Sequence, residues 1–286
     1  MKKALIVGAN SYIGISFERY VNGRIDVTTI SSHGDVWQEI DYSGFDSVVF
    51  VAGIAHRKNK GADSDLYYFV NRDLAFETVK KAKAEGVRQF IYISSIYAGG
   101  IYKGEVSPQA DKTPKSSDHY GLSKQQAEAL LLSLQSENFR VAVIRPPMVY
   151  GPRCKGNFPE LIKLVKKLPF FPTLQNKRSM IFVDNLSEFL AIVIEQEISG
   201  VLCPRNKEYV STARMMEEIA KQTGSRYRPL PLLNPLVRML MPLYPPLKNA
   251  FVSLFYSDEA PDMPFDRAYQ AVGFEESIKR SVAGYE

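Results

Sequence analysis

The chain has 286 residues, 45% of them hydrophobic, which supports one large core or one core with a smaller lobe. Its formal net charge is +5, with 36 Lys and Arg against 31 Asp and Glu and no dense basic run, which argues against nucleic acid and leaves room for an anionic small ligand. Two cysteines, Cys154 and Cys203, form no CxxC or Cys/His cluster, so neither a disulfide framework nor a metal site is expected, and a reducing cytoplasm fits.

Residues 4–7 predict a buried strand, 11–21 a helix and 27–30 a second strand. The apolar run at 4–7 is too short for a signal peptide, and no run approaches a membrane span. The stretch 31–45 has room for one helical turn around Trp37. Residues 47–52 (SVVFVA) form another apolar strand, 66–85 a long amphipathic helix closed by Gly86, and 90–93 a strand. A helix is expected over 124–136 and a strand over 141–144. Short apolar strands alternating with helices, without a period of two, predict an α/β protein with a parallel sheet covered on both faces.

From Gly151 the composition changes. Prolines crowd 146–172, and helical patterns return at 185–195 and 212–222. This is read as a smaller C-terminal lobe over 151–286, with some elements returning to the sheet of 1–150. Residues 229–246 mix prolines with leucines and methionines, beside Arg228, Arg238 and Lys248. Such a segment can lie on a membrane surface, but its prolines interrupt a long amphipathic helix. Packing as core or substrate lid is therefore expected. Cys154, between Arg153 and Lys155, reads as an incidental loop thiol.

Gly8-Ala9-Asn10-Ser11-Tyr12-Ile13-Gly14 follows the first strand and opens the first helix, as a dinucleotide-binding turn requires. Gly8 permits a tight turn, and Gly14 lets the helix approach the sheet. The helix N-terminus offers free N–H groups to a pyrophosphate. Ser11 replaces the middle glycine of the usual GxxGxxG and is expected to cap the helix with its hydroxyl turned from the phosphates. An ordinary glycine-containing turn is the alternative. The second strand ends Thr29-Ile30-Ser31-Ser32-His33, without the acid that binds the adenosine ribose. Losing that carboxylate removes repulsion against a 2′-phosphate, which Ser31, Ser32 and His33 can meet. NADP is therefore expected to be accepted, with NAD left open.

Tyr120-Gly121-Leu122-Ser123-Lys124 places a phenol and an ammonium on one helix face. The lysine is expected to favour the phenolate and lower the phenol's pKa, so that it acts as a base nearer neutral pH. Such a pair also arises by chance, so its companions matter.

With the loop 8–14, Ser94-Ser95, Tyr120 to Lys124 and Arg145-Pro146-Pro147-Met148-Val149-Tyr150-Gly151-Pro152 in this order, the chain resembles the extended short-chain dehydrogenase/reductase superfamily. Within it, the chain is similar to the nucleotide-sugar epimerase/dehydratase family, which includes UDP-galactose 4-epimerase and nucleotide-linked 4-ketohexose reductases. The match runs from residue 1 to about 195. The resemblance implies a Rossmann-like doubly wound domain over 1–150 that binds NAD or NADP, and a lobe that binds a nucleotide-diphosphate sugar. It implies Tyr120 as base and Lys124 as the residue that holds the nicotinamide ribose. Ser95 resembles the hydroxyl that orients the substrate alcohol, with Ser94 its close competitor; a strand-end serine bonded to backbone is the other reading.

On the cofactor side, the resemblance carries over Gly8, Asn10, Ser11, Tyr12, Ile13 and Gly14, then Ser31 and Ser32. Val51-Ala52-Gly53 resembles the turn beneath the cofactor, and Ile93 and Pro147 flank it. Asn71 resembles an asparagine near the active site, although a helix-surface amide explains it too. Asp41, with Tyr42, resembles the acid near adenine, although turn capping explains Asp41 almost as well. On the substrate side, Ser95, Ile96 and Tyr97 follow the strand. Asn157 resembles a residue that meets the diphosphate, and Arg178 the phosphate-binding arginine; an exposed loop arginine is its alternative. Dehydratases of the family carry an acid pair where this chain has Ile96-Tyr97, so dehydration is not expected.

The implied chemistry is hydride transfer at sugar C4. A UDP-sugar 4-epimerase comes first and an NADPH-dependent 4-ketohexose reductase second. A non-catalytic dinucleotide sensor comes third, because Ser95, Tyr120 and Lys124 are all present. A homodimer through the helices at 66–85 and 124–136 is also implied.

Overall fold

The computed structural model describes residues 1–55, 64–102, 104–106, 113–115, 118–258, 260 and 268–285. The first half runs β1 (Lys2–Val7), α1 (Tyr12–Tyr20), β2 (Ile25–Ile30), α2 (Val36–Glu39), β3 (Ser47–Phe50), α3 (Ser64–Tyr68), a π-helical turn (Phe69–Asp73), α4 (Leu74–Ala84) and β4 (Gln89–Ile93). A 3-10 turn (Ile96–Gly99), β5 (Ile101–Tyr102), β6 (Glu105–Val106), α5 (His119–Leu132) and β7 (Arg140–Ile144) follow. The distal half holds β8 (Met148–Tyr150), α6 (Asn157–Lys167), β9 (Phe170–Phe171), β10 (Met180–Phe182), α7 (Val183–Glu195), β11 (Gly200–Leu202) and α8 (Thr212–Thr223). It ends with β12 (Arg228–Pro229), α9 (Leu233–Leu240), α10 (Pro245–Phe251), β13 (Phe255–Tyr256) and α11 (Phe274–Ala283).

Six strands make one parallel sheet in the order β11-β7-β4-β3-β1-β2. The apolar residues of β3 and β4 are buried throughout, as a strand covered on both faces requires. One core cluster joins Phe17 of α1 and Phe189 of α7 to the sheet, and the other joins Ala75 of α4 and Leu131 of α5 to its opposite face. The chain leaves β1 for β2 on one side and then crosses to β3 on the other. That reversal opens a crevice beyond the carboxyl ends of β1 and β3, where Gly8 and Val51 lie. This is the Rossmann-like arrangement. Among the described residues, no helix is long and apolar enough to cross a membrane.

Three differences from the sequence expectations have physical causes. The helix expected over 66–85 is interrupted by the π-helical turn, whose wider coil carries the buried Asn71. The helix expected from 124 starts at His119, because the Asp118 carboxylate accepts a 2.9 Å hydrogen bond from the Gly121 N–H and caps it. Tyr120 and Lys124 therefore share one continuous helix. Of the core or lid expected of 229–246, the core is not formed, because α9 has no buried residue and only Val237 and Met241 pack partly against the distal cluster.

Candidate active site

The glycine turn is tightly wired. The N–H groups of Gly8 and Ala9 both donate to Ile30 O, at 2.9 and 3.0 Å. Gly8 has φ +129°, and a Cβ there would lie 2.8 Å from the Ala52 nitrogen. A Cβ on Gly14 would meet Ile6 and Val51 at 3.2 Å. Ser11 is the N-cap of α1, its Oγ accepting from the Gly14 N–H at 3.4 Å. The hydroxyl thus caps the helix, as expected. Gly8→Ala should destabilise the protein by about 1–3 kcal/mol, since it combines a forbidden φ with a backbone collision. Gly23, at φ +79° with nothing within 4 Å, is the control and should cost less. Urea midpoints at unchanged slope would measure both.

Beyond this turn lies a cavity of about 200 Å³, lined among others by Ile13, Val51, Gly53, Ser95, Tyr120, Lys124 and Pro147. The Tyr120 hydroxyl is hydrogen-bonded to the Ser95 side chain. Ser95 also caps the following turn, accepting from the Tyr97 N–H at 3.3 Å. Ser94 donates instead to the Glu128 carboxylate, so the two serines divide in role: Ser95 faces the phenol and Ser94 faces the interior. Lys124 Nζ donates to the Ile93 carbonyl at 2.8 Å and lies 4.5 Å from the Tyr92 ring centroid. Asn71 Oδ1 accepts from the Ile54 N–H at 3.0 Å, and Asn71 Nδ2 donates to Ser123 Oγ at 3.1 Å. A Cβ on Gly53 would sit 3.2 Å from Asn71 Oδ1 and 3.3 Å from Lys124 Nζ. Asn71 is therefore a buried brace of the site, and the surface-amide alternative falls away.

The expected lowering of the tyrosine pKa is corrected. Burial pushes the Tyr120 phenol up to about 12, with the Ser95 hydrogen bond pulling partly the other way. Its ring lies 6.1 Å from those of Tyr67 and Tyr97, so its surroundings are largely aromatic. Burial also brings Lys124 down to about 7, opposed by Glu128. Both groups thus favour their neutral forms, and a bound cation would shift the phenol back towards ionisation.

The remaining expected residues separate clearly. Tyr42 is a core residue: its hydroxyl donates to Trp37 O, its N–H donates to Glu85, and its carbonyl accepts from Phe45. Its side chain is therefore committed to the core. The Asp41 carboxylate accepts from both the N–H and the hydroxyl of Ser43, which is the turn-capping alternative. The Ile96 side chain is buried in a small cluster with Val106 and Tyr256. The Tyr12 ring packs into the distal cluster, and a Cβ on Gly151 would come within 2.6 Å of its hydroxyl. Only the Tyr12 backbone remains at the glycine turn. Asn10 is exposed there, and Ser31 and Ser32 are half-buried at the end of β2. The Ala52 N–H is used by Val7 O at 3.0 Å.

Arg178 lines two larger cavities in the distal half. One, of about 440 Å³, includes Tyr97, Asp118 and Lys248. The other, of about 540 Å³, includes Asn157, Met180, Tyr244 and Phe251. Arg178 is 9% exposed, which removes the exposed-loop alternative. Its Nη1 donates to the carbonyls of Asn249 and Ala250 at 2.7 and 3.2 Å. Burial holds its pKa below the usual arginine value.

Residues 4–202 match the model of the NAD dependent epimerase/dehydratase family. The chain belongs to this family. It is 38% identical over 184 residues to the UDP-glucose 4-epimerase of Vibrio cholerae, covering 60% of this chain and 56% of that protein. It is 26% identical over 254 residues to the N-acetyl-alpha-D-glucosaminyl-diphospho-ditrans,octacis-undecaprenol 4-epimerase of Escherichia coli O157:H7, covering 80% of this chain and 76% of that one. The structure superposes on the UDP-glucuronic acid 4-epimerase of Bacillus cereus in complex with NAD, with a TM-score of 0.75 at 18% identity over 99% of this chain and 98% of that one. The dTDP-4-dehydrorhamnose reductase of Bacillus anthracis str. Ames, in complex with NADP, gives a TM-score of 0.70 at 17% identity over the whole of both chains. At these identities, both structures establish the shared fold.

In this member of the epimerase/dehydratase family, the site rests on an ion pair that the sequence reading missed. Glu128 and Arg145 are each 3% exposed and joined by three hydrogen bonds of 2.5 to 3.2 Å. The Tyr256 hydroxyl donates to Arg145 O at 2.6 Å. The signal was present: Tyr120, Lys124 and Glu128 are each four residues apart, along one face of α5. The pair fixes Ser94 at the end of β4 and so fixes where Ser95 begins. Such a pair specifies geometry more than it adds net stability.

Proposed function

We propose that this chain is an NAD(P)-dependent 4-epimerase of a sugar carried on a diphosphate, with a UDP-sugar as first choice. The Ser95–Tyr120–Lys124 cluster around one cavity at the end of β4 carries the reading. Gly8 and Gly14 keep the β1–α1 turn bare, and the first turn of α1 directs its N–H groups to the crevice, which fits a dinucleotide pyrophosphate. Gly53, Asn71 and Lys124 converge where the nicotinamide ribose would lie. When bound, the dinucleotide accepts hydride from C4 and returns it. Tyr120, as phenolate, removes the C4 hydroxyl proton and later gives it back. Ser95 donates to the same oxygen and holds it in line. Lys124, when protonated, favours the phenolate by its charge. Asn157 and Arg178 would meet the diphosphate in the distal cavities.

The reductase reading is favoured by one observation: β2 is followed by Ser31 and Ser32, with no acid at its end. Purification tests the choice. Dinucleotide retained through gel filtration, with C4 inversion and no net redox, supports the epimerase. An enzyme that gains and exchanges NADPH and turns over a 4-keto sugar once per hydride overturns it in favour of the reductase. The carrier is a further choice. The apolar lining of the 540 Å³ cavity, with Met148, Leu161, Met180, Leu247 and Phe251, supports a polyprenyl carrier like that in the name of the Escherichia coli relative.

A further inference from the structure

Residues 161–183 contain no Asp or Glu, and neither do residues 226–252. The two stretches are neighbours. β9 pairs with β12, the Leu230 N–H donates to Phe171 O at 2.8 Å, and the Asn234 amide exchanges bonds of 2.8 and 2.9 Å with Thr173. Val237 and Met241 pack one side of α9 against the distal core. On the other side and just beyond it, Leu232 is 83% exposed, Met239 64% and Leu243 78%. Leu236, Tyr244 and Phe170 are exposed as well. A helix that is apolar on both sides therefore sits at the surface, where its outer side would ordinarily be polar.

Within these two stretches every charged side chain is basic, and the nearest acids named by the structure are Glu160, which lines the 540 Å³ cavity, and Glu217, which faces Tyr227. Arg228, Arg238 and Lys248 are exposed along the segment, and Lys166 and Lys167 are exposed at the end of α6. The Arg228 guanidinium lies 5.8 Å over the Phe170 ring, so cation and apolar surface are contiguous. An apolar tip whose own segments carry cations and no carboxylate complements a lipid surface that carries anionic headgroups. It does not complement itself, because a two-fold contact between copies would bring these cations together.

We propose that the α9–α10 segment docks this protein on an anionic bilayer. Leu232, Leu236, Met239 and Leu243 enter the acyl boundary, while Arg228, Arg238 and Lys248 meet the headgroup phosphates. Leu164 and Tyr244 belong both to this exposed surface and to the lining of the 540 Å³ cavity. Docking thus brings the edge of that cavity to the lipid boundary.

Vesicle co-sedimentation of the full chain, without cofactor or substrate, tests this whether or not the epimerase reading holds. Vesicles containing phosphatidylglycerol should pellet about tenfold more protein than pure phosphatidylcholine vesicles, and added salt should weaken the effect. Leu232→Ser, Met239→Ser and Leu243→Ser combined should lower binding about tenfold or more, with melting temperature and circular dichroism unchanged. Arg228→Glu with Arg238→Glu should give a similar loss. Absence of pelleting on anionic vesicles at low salt overturns the proposal. So does binding that the leucine and methionine changes leave intact. A shift from dimer to monomer in those variants, by light scattering and without vesicle binding, would make a second copy the occupant and overturn it equally.

Discussion

Tyr120→Phe should lower kcat about a thousandfold, some 4 kcal/mol of transition-state stabilisation, while leaving dinucleotide affinity within about twofold. The change removes one oxygen. The ring keeps its neighbours Tyr67 and Tyr97 at 6.1 Å, and the helix keeps its Asp118 cap. Ser95 loses a partner but still accepts from the Tyr97 N–H. Stability should therefore move little, and the loss should fall on kcat with KM nearly unchanged, as expected for a group that acts only when the C4 proton moves. A near-UV titration difference between wild type and variant should report one phenol that ionises near 12 in the cofactor-free protein. Full turnover by the phenylalanine enzyme would remove Tyr120 from the chemistry, whereas dinucleotide binding without turnover by the wild type, unaltered by the substitution, would put the sensor reading in front.

What the sequence disclosed is what short-range physics determines. The apolar runs of β1, β3, β4 and β7 are legible because a strand buried on both faces has no polar alternation to hide it. The glycine turn is legible because Gly8 and Gly14 answer to contacts with the adjoining strands. The i,i+4 spacing of Tyr120 and Lys124 is a local fact too. Where distant segments decide, the sequence was silent or misleading. Ser94 and Ser95 are equivalent on paper, and only Glu128, 34 residues downstream of Ser94, draws one of them inward. Asn71 is buried because of a π-helical turn that no residue pattern announces. The tyrosine's environment was misread because lysine proximity is visible in the spacing, whereas burial among aromatic rings is not. The 229–246 segment has the composition of a core, and whether protein covers its outer side is a tertiary matter.

Lys124→Met should stabilise the free protein at neutral pH and abolish most of its activity. Burial brings the Lys124 pKa from 10.5 to about 7. Below pH 7 both folded and unfolded chains carry the proton, and the folded state bears the full penalty of a buried ammonium, roughly 4–5 kcal/mol. Between 7 and 10.5 the unfolded chain holds the proton and the folded chain releases it, so wild-type stability rises with pH across that window. Above 10.5 the penalty is gone. Methionine fills similar volume without charge, but it leaves the Ile93 carbonyl without its 2.8 Å donor, a loss of about 1–3 kcal/mol. The balance at pH 7 is a gain of about 2 kcal/mol, or some 4 °C in Tm. Near pH 10 the gain should have reversed, because the hydrogen bond is still missing while the penalty has nearly vanished. Urea unfolding of both proteins across this range should therefore show curves that cross. A methionine variant less stable at every pH, or an advantage that does not shrink as pH rises, would mean that Lys124 is not the strained group inferred from its burial. With the crossing observed and turnover down about a hundredfold or more, the buried ammonium is a cost the fold tolerates for its site.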